Sequence, residues 1–315
     1  MPYCNANGMR LYYEMQGPKR ARSAPTLLLI MGVGAQLIAW PDAFCQDFVD
    51  RGWRVLRFDN RDVGLSQQCD ELGTPDIAQI ILRLTLGTPV YPPYELGDMA
   101  RDALALLQAL GIERAHVVGA SMGGMIAQIM TATHPEHVAS LSLIMTTSGA
   151  PRLPRPSMEV MSISMARPQD ASDLGALRDW YYRFLRSLEG SRHPQPADEL
   201  RAFIERSIAR AYTPRGTARQ SAAILAGGDR SALLRLIEVP TLVIHGDEDP
   251  LTHIDGGRDL ARKIPGARLV VIPGMGHTLP EPLLPEIADL VDGHARSTAW
   301  LMTQRYGAVR PAQGA

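Results

Sequence analysis

Three cysteines in 315 residues are too few and too scattered to organise a fold. Cys4, Cys45 and Cys69 form no C-x-x-C pair and leave an odd count, which excludes a disulfide framework or a thiolate zinc site and implies free thiols in a reducing cytoplasm. No apolar run approaches the length that spans a bilayer, and Met1 to Gly17 lacks a basic segment followed by an apolar one. Neither membrane insertion nor export is expected. An excess of charge of one sign is also missing: 32 Lys and Arg stand against 33 Asp and Glu, a net charge of −1, and no basic cluster is interleaved with aromatics. Nucleic acid is therefore excluded as a partner. There is no internal repeat. The length suits one large α/β domain with an insertion.

What the chain does contain is a rhythm of short β-branched and leucine-rich runs alternating with helical patterns. That rhythm builds a mostly parallel sheet covered by helices on both faces. The expected strands are Thr26 to Ile30, Arg54 to Phe58, Ala115 to Val118, Ser140 to Met145, Pro240 to His245 and Arg268 to Ile272. Helices are expected over Pro41 to Arg51 and over Leu96 to Leu110, where Met99, Ala103, Leu106, Leu107 and Leu110 keep helical spacing and Gly111 supplies the stop.

The rhythm breaks at Gly149, where Gly-Ala-Pro-Arg-Leu-Pro-Arg-Pro leaves the sheet, and it resumes near Leu236. Between them the pattern is helical. Leu177, Trp180, Tyr181, Phe184 and Leu188 share one face, and Leu200, Phe203, Ile204 and Ile208 share another, over Leu177 to Leu188 and Asp198 to Ala211. Residues 150–232 then read as a helical cap inserted in a core made of 1–149 and 233–315. Most cap aromatics are expected to serve helix packing, with some lining the underside of the cap. Fourteen methionines suit an adaptable apolar acyl pocket. The tail from Ser297 to Ala315 carries scattered Arg, Gly and Pro, and partial disorder is expected there.

Chemistry enters at Gly119-Ala120-Ser121-Met122-Gly123, which stands behind the run Ala115 to Val118 and ahead of a helical segment. Strand, sharp turn and helix are the context of a serine nucleophile elbow, whose strained central residue needs small neighbours two positions away. An ordinary helix N-cap would explain the serine but neither glycine. A serine hydroxyl needs a base, and the base needs an orienting group. Of eight histidines, only His277 follows a glycine-rich turn, Pro273 to Gly276, after a late strand. The strand before it runs into Asp247-Glu248-Asp249-Pro250. Both aspartates are open as the acid. Pro250 favours Asp249 by rigidifying the backbone beside it. The order Ser121, Asp249, His277 is the one found in α/β-hydrolases. Oxyanion donors are expected from the backbone N–H of Met122, at a helix start, and of Val33, in Met31-Gly32-Val33-Gly34-Ala35.

These residues, together with Trp40-Pro41 and Asp59-Asn60-Arg61-Asp62-Val63-Gly64-Leu65-Ser66, resemble the α/β-hydrolase superfamily from about Asn7 to His294. The likeness is to its capped serine-esterase branch, with the aclacinomycin-methylesterase-like and enol-lactonase-like bacterial hydrolases. The resemblance implies an α/β-hydrolase fold with an inserted cap, a small-molecule ester substrate, and no cofactor or metal. It also implies that the acid is the third residue after Gly246, namely Asp249, and that Asp59, Arg61 and Gly64 are turn and scaffold residues. Where much of the superfamily has His-Gly before the oxyanion donor, this chain has Met31-Gly32, so a histidine contribution to the pocket is lost while a backbone donor survives. Epoxide hydrolases and haloalkane dehalogenases of this fold carry aspartate at the elbow, which excludes them. The leading expectation is a carboxylic ester hydrolase working through an acyl-enzyme. Lactonase, thioesterase, perhydrolase and C–C hydrolase activities use the same triad. A ligand-binding protein with an idle triad is the reading from another class.

Overall fold

The computed structural model describes residues 2–18, 24–168 and 173–306, with side chains described up to residue 297. Eight strands form one sheet: β1 (Tyr3–Ala6), β2 (Met9–Gln16), β3 (Thr26–Ile30), β4 (Arg54–Phe58), β5 (Ala115–Ala120), β6 (Val138–Ile144), β7 (Thr241–Gly246) and β8 (Arg268–Ile272). Their order is β1-β2-β4-β3-β5-β6-β7-β8, antiparallel at β1-β2 and β2-β4 and parallel from β4 to β8. The helices are α1 (Asp42–Asp50), α2 (Ile77–Thr85), α3 (Leu96–Ala109), α4 (Met122–Thr133), α5 (Met158–Met165), α6 (Leu174–Ser187), α7 (Ala197–Arg210), α8 (Pro214–Gly227), α9 (Ser231–Leu234), α10 (Ile254–Lys263) and α11 (Leu284–Tyr306). Of the tail from Ser297 to Ala315, where partial disorder is expected, the part up to Tyr306 continues α11, and residues 307–315 lie outside the described residues.

All six expected strands form, with ends moved by two residues or fewer. The apolar runs of β3, β5 and β7 reflect burial on both faces, whereas the edge strand β8 is largely half-buried or exposed. In β3, Leu27 and Leu29 point into one core with Trp40, Phe44, Phe48 and Ile287, while Leu28 and Ile30 point into another with Met99, Leu106, Ile126 and Met130. Helices α1 and α11 cover the first face and α3 and α4 the second. Each sheet face thus receives every second side chain of the strand.

The hairpin β1-β2 is not among the expected strands. Its side chains are half exposed, so it lacks the dense apolar run that marks the central strands. A local signal does exist. Asn7-Gly8 forms the turn, with φ of 50° and 76°, the positive pair that a two-residue hairpin with matching twist requires. Helix α2 is also unforeseen, and of its residues only Ile80 is buried.

The topology locates the site before any side chain is considered. From β3 the chain passes first to β4 on one side and later to β5 on the other, so strand order reverses between β3 and β5. Ligands of open parallel sheets bind beyond the carboxyl ends of the strands at such a reversal. Met31 to Ala35 leaves β3 there, and Ser121 leaves β5 beside it. Helices α5 to α9 occupy the excursion between β6 and β7. Among the described residues no helix is long and apolar enough to cross a membrane.

Candidate active site

Ser121 joins β5 to α4 with φ 53° and ψ −121°, a strained backbone for a residue with a side chain. It occupies the N-cap position of α4, yet its side chain makes no capping hydrogen bond. The tightness of the turn explains the flanking glycines. A Cβ on Gly119 would stand 2.4 Å from the Gly123 carbonyl oxygen, and one on Gly123 would stand 2.0 Å from that of Ile30. Gly124 meets Thr146 in the same way, at 2.6 Å. Ser121 itself is fastened through its N–H, which donates to Ile144 O at 3.0 Å, and its carbonyl, which accepts from Thr146 Oγ1 at 2.7 Å. The hydroxyl is left for other work.

That hydroxyl lies 3.0 Å from His277 Nε2, although the two residues are 156 apart in the chain. On the other side of the ring, His277 Nδ1 lies 2.7 Å from Asp249 Oδ2. A carboxylate accepts only, so Nδ1 carries the proton and Nε2 is free to receive one from Ser121. Asp249 is 4 % exposed and His277 8 %. The second carboxylate oxygen of Asp249 accepts the N–H groups of Leu251 and Thr252 at 3.0 and 2.7 Å. Burial by itself would raise the Asp249 pKa, but the His277 imidazole at 2.7 Å and the His245 imidazole at 3.4 Å outweigh it and hold the carboxyl well below the usual range.

The three neighbouring acids separate cleanly. Asp247 Oδ1 accepts the Gly274 N–H at 2.6 Å and so pins the turn that leads to His277. Glu248 is bound to the Ser191 amide and hydroxyl at 2.6 and 2.9 Å. Only Asp249, of these three, touches the imidazole. The His277 N–H donates to Leu188 O at 2.7 Å, so the C-cap of α6 also holds the histidine in place.

Met122 is the first residue of α4, and its N–H is among those that lack an intrahelical acceptor. Gly32 packs against the serine, since a Cβ there would stand 3.1 Å from Ser121 Cβ. In the loop that follows, the Gly34 N–H is taken by Gln220 Oε1 at 2.8 Å and the Ala35 N–H by Gly32 O at 3.3 Å. Of the amides from Val33 to Ala35, that of Val33 is the one not engaged in these bonds. Asp59, Arg61 and Gly64 are structural contacts here. Arg61 forms a bidentate pair with Asp102 at 2.6 and 2.7 Å, and Gly64 closes on the Asp59 carboxylate. Burial raises the Asp59 pKa, against the opposing pull of Arg210 and of the Leu37 and Leu65 amides.

Four side chains near the site carry no local sequence signal. His245 Nε2 donates to Thr252 O at 2.7 Å and stands 3.4 Å from Asp249 Oδ2. Gln36, Arg210 and Gln220 tie the loop after β3 to α7 and α8. Their partners are as far as 186 residues away in sequence, and glutamine and arginine are common in any surface pattern. A cavity of about 600 Å³ at the exit and re-entry of the insertion, lined by Arg152, Asp229, Asp255, Asp259, Arg262 and Lys263 among others, includes none of the triad residues. Among the described residues no group of His, Cys, Asp and Glu is arranged to hold a metal ion.

A hydroxyl, an imidazole and a buried carboxylate in series, at 3.0 and 2.7 Å, can attack an acyl carbon. The chain is similar to known hydrolases over much of its length. The chain is 30 % identical to rhodomycin D methylesterase of Streptomyces peucetius over 86 % of its own length and 91 % of the relative's. It is 31 % identical to the pimeloyl-[acyl-carrier protein] methyl ester esterase of Neisseria meningitidis over 60 % of its length and 70 % of that enzyme's. Among solved structures, a hydrolase from Pseudomonas aeruginosa superposes with a TM-score of 0.66 at 27 % identity, covering 94 % of this chain and 97 % of the other. The model of the alpha/beta hydrolase fold family matches residues 25–281. With most of its length matched by that model, and with the strand order and the elbow in place, the chain belongs to the alpha/beta hydrolase fold family.

Proposed function

We propose that this protein is a serine carboxylic ester hydrolase in which Ser121 is the nucleophile, His277 the general base and acid, and Asp249 the orienting acid. The observation that carries the reading is the continuous hydrogen-bonded line from Ser121 Oγ through His277 to Asp249, at 3.0 and 2.7 Å. His277 Nε2 takes the hydroxyl proton as Oγ adds to the ester carbonyl carbon. The Val33 and Met122 N–H groups receive the oxyanion. Collapse breaks the bond to the alcohol oxygen, which leaves with the proton from Nε2, and the acyl group stays on Ser121. Water then repeats the sequence and frees the acid.

The relatives act on methyl esters according to their names, which supports a substrate with a small alcohol and a larger acyl part. Residues 150–232 act as the cap over the site, between core segments 1–149 and 233–315. The free state of all three cysteines fits a cytoplasmic location. The test is hydrolysis of p-nitrophenyl and methyl esters from acetyl to dodecanoyl by wild type and Ser121→Ala, with mass spectrometry of the fluorophosphonate adduct. The expected result is activity in wild type alone and an adduct on Ser121. Activity on lactones or thioesters but no esters would move the assignment to those substrates. An unlabelled, folded protein would favour a ligand-binding role and end the catalytic reading.

A further inference from the structure

An oxyanion donor works only when it is fixed about 3 Å from where the charge develops, and a misplacement near 1 Å can cost about a hundredfold. The loop that carries Val33 is poorly equipped to fix itself. Its internal bond, from Ala35 N–H to Gly32 O, is long at 3.3 Å, and Gly34 sits at φ +65°, where glycine is freest.

The firm bonds to this loop come from outside it, and several come from the inserted helices. Gln220 of α8 is 0 % exposed and accepts the Gly34 N–H through Oε1 at 2.8 Å. Its Nε2 donates to Arg61 O at 2.7 Å, so the amide is held at both ends and its orientation is determined. Thr217, one turn earlier on α8, backs onto Gly34 so closely that a Cβ there would stand 2.9 Å from the threonine. Three residues beyond Val33, Gln36 Nε2 donates to Ser207 O and Ala211 O at 2.7 and 2.8 Å, at the end of α7. Arg210 Nη1 donates to Gln36 Oε1 at 2.6 Å, while Arg210 Nη2 lies 2.8 Å from Asp59 Oδ2. Asp59 Oδ1 in turn accepts the Leu37 N–H at 2.7 Å.

We infer that Gln220, supported by Gln36, is a positioning residue that sets the Val33 oxyanion donor, so that α7 and α8 act in the chemistry as well as covering the site. The inference rests on the proposed Ser121 mechanism. Gln220 touches no reacting atom. Its hold on Gly34 decides where the preceding amide points, and docking of the inserted helices becomes a condition for turnover.

The experiment uses the full chain and compares wild type with Gln220→Met and, independently, Gln36→Met. Both replacements keep side-chain length while removing the hydrogen bonds. Steady-state hydrolysis of the preferred p-nitrophenyl ester is measured with the affinity for a trifluoromethyl ketone, whose serine adduct bears an oxyanion. The expected result is a ten- to hundredfold fall in kcat, a KM within threefold of wild type, and inhibitor binding weakened by about the same factor as kcat, consistent with a donor displaced but not deleted. Gln220→Glu, which retains an acceptor for the Gly34 N–H, is expected to recover part of the rate. A folded Gln220→Met protein with kcat within twofold of wild type overturns the proposal, as does a loss seen only in KM or in melting temperature. If Gln220→Met does not fold, Gln36→Met decides on the same criteria. Failure of the underlying mechanism looks different, because wild type itself would then neither hydrolyse the ester nor take up fluorophosphonate.

Discussion

Replacing Asp249 by asparagine separates the role of the acid from that of its neighbours. An asparagine at 249 can still accept the Leu251 and Thr252 amides through its carbonyl oxygen, so the loop stays in place. What disappears is the anion 2.7 Å from His277 Nδ1. During acyl transfer the imidazole becomes positively charged. A carboxylate about 4 Å from the centre of that charge contributes about 4 kcal/mol at an effective dielectric of about 20. Each 1.4 kcal/mol is about tenfold in rate, so charge alone accounts for about a thousandfold in kcat. The NH2 group of asparagine, turned toward Nδ1, also favours the tautomer with its proton on Nε2, which cannot accept from serine. Together these give an expected loss of about 10³ to 10⁴ in kcat, with KM little changed. Asp247→Asn provides the contrast. Its carbonyl oxygen can still accept the Gly274 N–H, so kcat is expected within about threefold of wild type. The assay is p-nitrophenyl ester hydrolysis at pH 8, with melting curves for each variant. If folded Asp249→Asn kept more than a tenth of wild-type kcat, or if Asp247→Asn fell as far, the assignment of the acid would be refuted.

Further expectations follow from contacts away from the triad. Gly123→Ala forces a Cβ to 2.0 Å from Ile30 O and 2.8 Å from Met31 O, both backbone, and is expected to cost about 3 kcal/mol or more, whereas Gly293→Ala on α11 has open space and should gain up to about 1 kcal/mol; urea unfolding compares them. Arg219 holds Asp62 through bonds of 2.8 and 2.7 Å with both side chains buried, and despite the upward push of burial those bonds lower the Asp62 pKa. The lowered value makes the stabilisation complete above the unfolded carboxyl pKa of about 3.9 and lost as pH falls below it, so Arg219→Met should cost about 3–5 kcal/mol at pH 7 and progressively less toward pH 3; a penalty independent of pH would contradict this. Burial pushes the Cys45 and Cys69 thiols up to about 11, so thiol titration of native protein at pH 8 should find only Cys4 reactive, and all three after denaturation.

The sequence by itself determined the central strands, the elbow and the chain order of Ser121, Asp249 and His277. Those features are written in short-range terms: apolar runs doubly buried in β3 to β7, glycines at 119, 123 and 124 that no side chain could replace, and loops that must begin where strands end. The hairpin β1-β2 was legible only through Asn7-Gly8, because a strand paired at the edge of a sheet and half exposed has no need of a dense apolar run. Tertiary structure alone decided the rest. For the acid, where Pro250 and the family resemblance already favoured Asp249, it supplied the contact itself: Asp249 meets His277 while Asp247 meets Gly274 through side-chain directions set in a tight turn. The grip of Gln220 and Gln36 on the loop after β3 joins residues more than 170 positions apart, and it exists because the insertion packs back over the strand ends. Propensity and periodicity act over a few neighbours along the chain, whereas a hydrogen bond between distant segments is fixed only when every element between them has been packed.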